Sequence, residues 1–430
     1  MHVLTPAHHR RPLENGLPVV AIDLPHLHTL HIGMYVRIGS RYEGPDTSGL
    51  SHFVEHMLYR GTTSHPSSLA LNFAFEKLGG HLHAETGRSD SLFQTTALPD
   101  LAGEALGLLG ELFSSPIFGD IERERALILE ELNEDYDEHG ALVNGDDIAH
   151  ELLFGERGLG RRILGPPDNI RRFSEADVRG HFEAYYGAEN AVLCLAGPIA
   201  DAHITAAARA FGRLPKGRAT RLDTAAPAAG PHYRYVAEPG SQSSLTVLLR
   251  AIPERDPDDT ACAALVRALD DGMSTRLHYR ICDQLGLAYN LSAGVDSYHD
   301  EAVLEVAGAT AHRKVAPLLR ELFALFEELR ETPVSDEELA KLKARAQFDL
   351  ASAIDEPAAM AAWFGGGSLY AQPPRLEDRL AALSALTPAD IQRAARRVLS
   401  PENLAVVVVG SLSRARQGEV REVVMGWNPG

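Results

Sequence analysis

The stretch Glu189-Asn190-Ala191-Val192-Leu193-Cys194-Leu195-Ala196-Gly197 decides the fold, because its pattern returns as Glu402-Asn403-Leu404-Ala405-Val406-Val407-Val408-Val409-Gly410. Each copy is typical of a turn followed by a buried strand that ends at glycine. Each follows a predicted helix with a polar N-cap, Ser174 in the first copy and Thr387 in the second. Corresponding residues lie a constant 213 positions apart. This ungapped register indicates an internal duplication.

The length of the chain also favours more than one domain. At 430 residues it exceeds the size of a typical single core. The segment 215–231 is rich in proline, glycine and alanine, as linkers are. We therefore predict an N-terminal domain at 1–214, a linker at 215–231 and a homologous C-terminal domain at 232–430.

Alternating strands and paired helices predict an α+β layer architecture in each half. Strands are predicted at Pro18–Asp23, His31–Ile38 and Ser244–Ala251. A first helix is predicted through His52–His56. Further helices are predicted at Ser68–Leu78, Asp100–Ser114, Ile121–Tyr136, Thr260–Leu269, Val315–Arg330 and Asp336–Ala353.

Composition excludes several functional classes. Hydrophobic residues make up 45% of the chain, and the net charge of -18 argues against binding of nucleic acid. The cysteines Cys194, Cys262 and Cys282 have no metal-ligand spacing, and we expect free thiols. The first residues lack a signal-peptide pattern, and the apolar runs are too short to cross a bilayer. We therefore predict a cytoplasmic protein without a membrane segment.

The segment His52-Phe53-Val54-Glu55-His56 predicts a metal site. On a helix, His52, Glu55 and His56 share one face. Two imidazoles can then take two positions of a tetrahedral zinc ion, and Glu55 can reach a water at an open position. The order His-x-x-Glu-His is the inverted form of a motif found in zinc hydrolases. The alternative is a surface helix that carries two histidines by chance.

A third ligand is expected from the acidic helix Glu122–Glu134. Glu124 and Glu131 lie about two turns apart and project from one side. Spacing alone does not separate Glu131 from Glu130 or Glu134. An acidic helix face that is simply solvated is the alternative.

These segments resemble the pitrilysin family of zinc metallopeptidases, and most closely its short subfamily, which includes mitochondrial processing peptidase and bacterial relatives. The resemblance covers nearly the whole chain, and it implies two homologous α/β-roll domains. Each would be an antiparallel sheet with helices packed on one face, as in other metallohydrolases of this type. The matching segments besides the histidine motif are Asn15–Leu17, Gly39–Arg41, Met57–Thr62, Leu78–Gly80, Glu124–Arg125, Ile128–Glu131, Ile163–Gly165, Tyr186–Gly197 and Gly286–Tyr289.

The resemblance implies the roles of the site residues. His52, His56 and Glu131 would bind one Zn²⁺ per chain. Glu55 would be the general base that activates a zinc water for attack on the peptide carbonyl, and Glu124 a second acidic residue that supports the site. The implied function is an endopeptidase that cleaves unfolded peptides or leader segments in a closed dimer chamber, to which the second, inactive domain contributes walls.

The resemblance also implies that the strand after Gly79-Gly80 binds extended substrate at its edge. His83 and Ala84 are the predicted contacts in this strand. His83 stands where the family usually has asparagine, so the usual amide contact is altered. A polar strand residue without a role is the alternative for His83.

The family further uses an arginine and a tyrosine from the second half to hold substrate near the zinc of the other subunit. Tyr289 matches the tyrosine, but Cys282 occupies the arginine position. Either Arg280 compensates in a homodimer, or a homologous subunit supplies the arginine–tyrosine pair in a heterodimer.

Two other functions remain open at this point. The chain could be a non-catalytic structural or assembly subunit of a larger complex, although such chains usually lose motif residues that are present here. A non-proteolytic metal hydrolase is favoured by the motif chemistry alone.

Overall fold

The computed structural model describes residues 5–222 and 229–429. Contacts divide the chain into two units. The first comprises Met1–Asn133, Arg161–Thr224 and Asp349–Glu377, and the second comprises Glu134–Gly160, Ala225–Phe348 and Asp378–Gly430. The predicted domains are contiguous, whereas the contacts assign 134–160 and 349–377 to the unit of the other half. Within the predicted linker 215–231, residues 223–228 lie outside the described residues.

The strands follow the apolar runs of the sequence. They are β1 (Ala7–Pro12), β2 (Pro18–Asp23), β3 (Leu30–Val36), β4 (His83–Thr86), β5 (Ser91–Ala97), β6 (Ala191–Gly197), β7 (His232–Ala237), β8 (Ser243–Arg250), β9 (Leu291–Ser297), β10 (Ala302–Thr310) and β11 (Leu404–Gly410).

The helices occupy the segments between them. They are α1 (Leu50–Leu58), α2 (Ser68–Glu76), α3 (Ala102–Ser114), α4 (Ile121–Leu132), α5 (Gly145–Phe154), α6 (Pro167–Arg172), α7 (Glu175–Tyr185), α8 (Asp201–Phe211), α9 (Asp259–Leu269), α10 (Val315–Glu331), α11 (Asp336–Ser352), α12 (Pro357–Ala361), α13 (Leu376–Ala385), α14 (Pro388–Val398) and α15 (Arg414–Met425). Leu277–Gln284 and Ala362–Gly366 form short π-helical stretches.

The two sheets confirm the predicted duplication. In the first unit the strand order is β1-β2-β6-β3-β5-β4, and in the second it is β7-β11-β8-β10-β9. The second order repeats the first without β1. One correction is needed, because each predicted antiparallel sheet contains a parallel pair, β2 with β6 and β11 with β7. A parallel pair requires a long crossover, and the helices between the paired strands provide it.

The repeated stretches have the same local structure. Ser174 and Thr387 both form capping boxes with the aspartate three residues later. Each asparagine of the turn, Asn190 and Asn403, donates its side-chain amide to the carbonyl five residues earlier. These contacts satisfy backbone groups at the ends of the two equivalent helices.

The second sheet is covered on both faces, which corrects the prediction of helices on one face only. Val406 and Val408 of β11 pack in the main core with α9, α10 and α14. Val407 and Val409 face the other way and pack with Ile148 and Leu153 of α5. The uninterrupted apolar run of β11 requires burial on both sides, and α5 provides the second cover.

The first sheet is covered by the equivalent segment of the second half. α12 and the π-helical stretch that follows it contact β3 and β6. A Cβ atom added to Gly365 would lie 2.6 Å from the Cβ of Cys194, so the two backbones approach closely. Each unit therefore has a sheet from one half of the sequence and a covering segment from the other half.

Two predictions about the whole chain can be compared with the structure. Across residues 5–222 and 229–429, no helix is long and apolar enough to span a membrane. Cys194, Cys262 and Cys282 are free thiols, as predicted. The cytoplasmic location stays a prediction.

Candidate metal centre

Helix α1 carries the histidine motif as the sequence predicted. Phe53, Val54 and Met57 are fully buried and seat the helix in the core of the first unit. His52 and His56 lie one turn apart on another face, with ring centroids 4.6 Å from each other. The apolar spacing therefore fixes the direction in which both imidazoles point.

Helix α4 brings Glu131 to the two histidines. Glu131 Oε2 lies 3.7 Å from His52 Nε2 and 3.4 Å from His56 Nε2. One donor atom from each of the three residues lies within 4.8 Å of the others. Ligands of a tetrahedral zinc ion, at about 2.1 Å from the metal, are about 3.4 Å apart, so this donor set fits zinc. Glu130 and Glu134, which spacing left open, are not part of this group.

The inner face of α4 explains why Glu131 points to α1. Ile128 and Leu132 are buried, and Glu124 is buried on the same side. Leu127, for which the sequence also suggested packing, is half exposed. In the described residues the group His52, His56 and Glu131 is the one three-residue set found with metal-binding geometry.

Glu124 orients the imidazole of His56 through Nδ1, the ring nitrogen that faces away from Glu131. Its Oε2 lies 3.2 Å from His56 Nδ1, and its Oε1 accepts a hydrogen bond of 2.8 Å from Arg60 Nη1. Burial raises the pKa of Glu124, but the hydrogen bond with His56 and the charge of Arg60 outweigh it and lower the pKa. A carboxylate at Nδ1 leaves His56 Nε2 free to face a metal.

The two imidazoles have different electrostatic surroundings. Burial lowers the pKa of His52, and the neighbouring His56 acts in the same direction. Burial also lowers the pKa of His56, but hydrogen bonds with Glu124 and Glu131 outweigh it and raise the pKa to about 9. The hydrogen bond with His56 lowers the pKa of Glu131. Opposite charges on His56 and Glu131 thus hold these two donors together, whereas His52 is held by packing.

Glu55 lies on the same helix but outside this donor set. Burial raises its pKa, and the charges of Glu131 and Glu85 act in the same direction, while the neighbouring Thr86 lowers it. A carboxylate with a raised pKa is a better proton acceptor near neutral pH. Thr86 belongs to β4, so this edge strand lies beside the helix of the metal site.

The predicted substrate contacts on β4 point to opposite faces of the sheet. His83 is exposed and pairs with Gln94 of β5, whereas Ala84 is half-buried and pairs with the buried Phe93. His83 lines a cavity of about 380 Å³ that also includes His31 and Gln94. β4 is the last strand at its side of the first sheet.

The residues predicted in the second half lie in the second unit. Tyr289 is 96% exposed. Arg280 is paired with Glu321 at 2.9 Å and with Glu328 at 3.1 Å. Cys282 and Tyr289 line one cavity of about 760 Å³. The guanidinium of Arg280 is therefore engaged by two carboxylates of α10.

Sequence reasoning missed Arg60 and Thr86 as parts of the site. Arg60 lies four residues after His56, so helical spacing from the motif could have indicated it. Thr86 gave no local signal, because its contact with Glu55 depends on how β4 packs against α1.

Comparisons with known proteins identify the family of the chain. Residues 18–167 match the family model described as insulinase (peptidase family M16), and residues 172–346 match the model of the M16 peptidase inactive domain. The chain belongs to the M16, or pitrilysin, family of metallopeptidases.

Individual relatives cover most of the chain. A protein named uncharacterized zinc protease from Rickettsia felis is 28% identical over 80% of this chain and 84% of its own length. The mitochondrial-processing peptidase subunit beta of Blastocladiella emersonii is 29% identical over 93% of this chain and 87% of its own. The crystal structure of a Helicobacter pylori protease has a TM-score of 0.86 at 19% identity and covers 94% of this chain and 100% of its own. This last likeness supports the fold, and the names of the relatives indicate zinc.

Proposed function

We propose that this chain is a zinc-dependent endopeptidase that cleaves unfolded peptides or leader segments. The observation that carries the proposal is the convergence of His52, His56 and Glu131, whose donor atoms lie within 4.8 Å of one another. Glu55 stands on the same helix with a raised pKa, as a general base requires. The relatives named zinc protease support the choice of metal.

Each side chain of the centre has a distinct task. His52, His56 and Glu131 hold the ion, and Glu124 fixes the ring of His56 through Nδ1. When bound, zinc supplies a Lewis acid and lowers the pKa of a bound water from about 15.7 toward about 7. Glu55 accepts a proton from the attacking water and delivers it to the departing amine.

The edge of β4 is the proposed binding surface for the substrate backbone. β4 pairs with β5, and its other side ends the sheet. An extended peptide can add there as a further strand through main-chain hydrogen bonds. His83 and Ala84 would then face opposite sides of the extended sheet, each beside alternate side chains of the peptide.

A second, homologous subunit is proposed to complete the site and close the chamber. Arg280 is held by Glu321 and Glu328, so breaking two ion pairs would be needed before it could grip a substrate. Cys282 at the usual arginine position cannot make a bidentate contact. The ion pairs of Arg280 and the cysteine at position 282 favour the heterodimer over a homodimer that uses Arg280. In this chain Tyr289 has no arginine at the position that the family uses.

The test compares two neighbouring glutamates of α4. Glu131→Gln removes a proposed ligand, and Glu130→Gln changes an exposed residue beside it. Both variants and the wild type are purified with and without a homologous subunit from the same source. Elemental analysis gives the zinc content, and fluorogenic peptides give the rate of hydrolysis.

In the preparation with the homologous subunit, we expect the wild type and Glu130→Gln to hold zinc and to cleave peptides, and Glu131→Gln to lose both properties. A Glu131→Gln variant with full zinc and full activity would overturn the proposal. Zinc in the wild type without cleavage in either preparation would favour a structural subunit instead.

A further inference from the structure

The buried carboxylate of Glu43 is not one of the proposed metal ligands. It contacts α1, the helix that carries His52 and His56. Glu43 is 3% exposed. Its Oε2 accepts a hydrogen bond of 2.7 Å from the backbone N–H of Gly49, and its Oε1 accepts one of 2.7 Å from that of Ser51. Both amides belong to the start of α1, just before His52.

Helix α1 cannot be capped by its own N-cap residue. That residue is Gly49, with a φ of 99° and no side-chain cap. A Cβ at Gly49 would lie 2.7 Å from the carbonyl oxygen of Leu164 and 2.9 Å from Ile170 Cδ1. Serine, threonine, aspartate and asparagine, the usual caps, are therefore excluded. Glu43 supplies the missing acceptor from six residues upstream, with a charge that suits a helix N-terminus.

Ser51 is fixed at three separate atoms. Its N–H is bound by Glu43, its hydroxyl lies 3.1 Å from His181 Nε2, and its carbonyl accepts a hydrogen bond of 3.2 Å from the hydroxyl of Tyr186. His181 and Tyr186 are both buried. The residue that directly precedes His52 therefore has little freedom to move.

The buried acid has an energetic cost. Burial raises the pKa of the Glu43 carboxyl to about 7, although the amides of Ser51 and Gly49 and the charge of Arg161 act to lower it. Taking a carboxylate out of water is unfavourable unless hydrogen bonds compensate it. Hydrogen bonds with Ser51 and Gly49 and the charge of Arg161 provide this compensation.

We propose that Glu43 is a positioning residue for the metal centre. It holds the first turn of α1 and thereby sets the direction of His52 relative to His56 and Glu131. This inference rests on the proposed function, because it assigns Glu43 to the same metal site. Glu43 itself contacts neither the metal-binding atoms nor the substrate strand in the described contacts.

The test uses Glu43→Gln, which keeps the shape but places an NH₂ group against one of the two amides. Zinc affinity is measured by competition with a chelator, and the ligand geometry by the visible absorption spectrum of the cobalt-substituted protein. We expect zinc affinity to fall about tenfold to a hundredfold, as for other residues that orient metal ligands, and the cobalt spectrum to change. Peptide hydrolysis should show a lower kcat with a nearly unchanged KM.

The second half of the chain offers a matched control. Asp256 occupies the position 213 residues after Glu43, and its Oδ1 accepts a hydrogen bond of 2.9 Å from the N–H of Asp258 before α9. Asp256→Asn should lower the melting temperature but leave zinc affinity and the cobalt spectrum unchanged. The comparison separates general loss of stability from loss of ligand geometry.

A Glu43→Gln protein with lower stability but wild-type zinc affinity and cobalt spectrum would overturn the inference. If that variant does not fold, Glu43→Asp decides, since its shorter carboxylate cannot reach both amides; unchanged zinc affinity and spectrum would equally overturn it. Both readouts are made without peptide. A wild type that binds zinc but never cleaves would contradict the proposed function and leave this inference standing.

Discussion

Two carboxylates of the candidate centre, Glu55 and Glu131, are separated in role by their surroundings. Burial raises the pKa of Glu55, whereas the hydrogen bond with His56 lowers the pKa of Glu131. The first is suited to accept a proton and the second to remain a charged ligand. Environments that move two titrating groups apart are typical of acid–base sites.

Glu55→Gln tests this division of labour. We expect peptide hydrolysis to fall by about 10²- to 10⁴-fold, because the amide cannot take a proton. Zinc content should equal that of the wild type, since Glu55 is outside the donor group. Stopped assays with a fluorogenic peptide and elemental analysis of the same sample provide the measurements. Loss of zinc together with activity would show that Glu55 acts as a ligand.

A second prediction at this scale concerns pH and the buried His31. Burial lowers its pKa to about 4, against about 6.5 in an unfolded chain. Below pH 6.5 the unfolded state binds the proton first, so this contribution to stability is lost as the pH falls from 6.5 to 4. The loss is up to about 3 kcal/mol.

His31→Gln should therefore flatten the fall in the free energy of unfolding between pH 6.5 and pH 4. Urea unfolding at several pH values measures it. His139→Gln, at an exposed position, is the control and should keep the wild-type slope. Equal slopes for all three proteins would contradict the prediction.

The sequence predicted which residues form the candidate site better than it predicted the contacts that these residues make. The motif spacing was enough for His52 and His56, because both lie on one helix. Spacing left Glu131 open beside Glu130 and Glu134, and only the family resemblance selected it. The rotation of α4 against α1, which decides the ligand physically, depends on long-range packing of Ile128. The ion pairs of Arg280 with α10 were also out of reach, since they join distant segments.

At the scale of elements, the predicted helices and strands match the structure closely wherever periodicity is strong. α3, α4 and α10 begin within two residues of their predicted starts. α5 and α12 were missed, and both pack on the sheet of the other half. Local pattern does not reveal which sheet an amphipathic segment covers.

Leu153→Ala tests the role of α5 as a cover for the second sheet. Leu153 is fully buried, and its truncation should cost about 2–5 kcal/mol. Amide hydrogen exchange should accelerate in β8 and β11 more than in β3 and β6. Leu69→Ala, at a position 81% exposed, should change stability by less than about 0.5 kcal/mol. Faster exchange confined to the first sheet would contradict the assignment of α5.

At the scale of the whole molecule, the proposed metal centre has all three ligands, whereas the proposed arginine–tyrosine pair lacks its arginine. Cys282→Arg restores the arginine seven residues before Tyr289, and the cavity of about 760 Å³ beside Cys282 has room for the longer side chain. We expect this variant to raise kcat/KM of the chain without a partner by about tenfold, equivalent to one new contact of about 1.4 kcal/mol.

Cys282→Ser is the matched control, because it removes the thiol without adding a guanidinium. It should leave kcat/KM at the wild-type value. Rates are compared for the chain alone and for a mixture with a homologous subunit. No gain for Cys282→Arg, together with full activity of the wild type alone, would show that this chain needs no arginine at that position.

The exchange of segments between the halves has a consequence for the origin of the molecule. A single ancestral copy would have left one side of its sheet bare, since the cover comes from the other copy's equivalent segment. Two such copies could have buried both faces of their sheets only as a dimer in which each chain covered the sheet of the other. Gene fusion would then have joined partners that already depended on one another to bury both faces of their sheets.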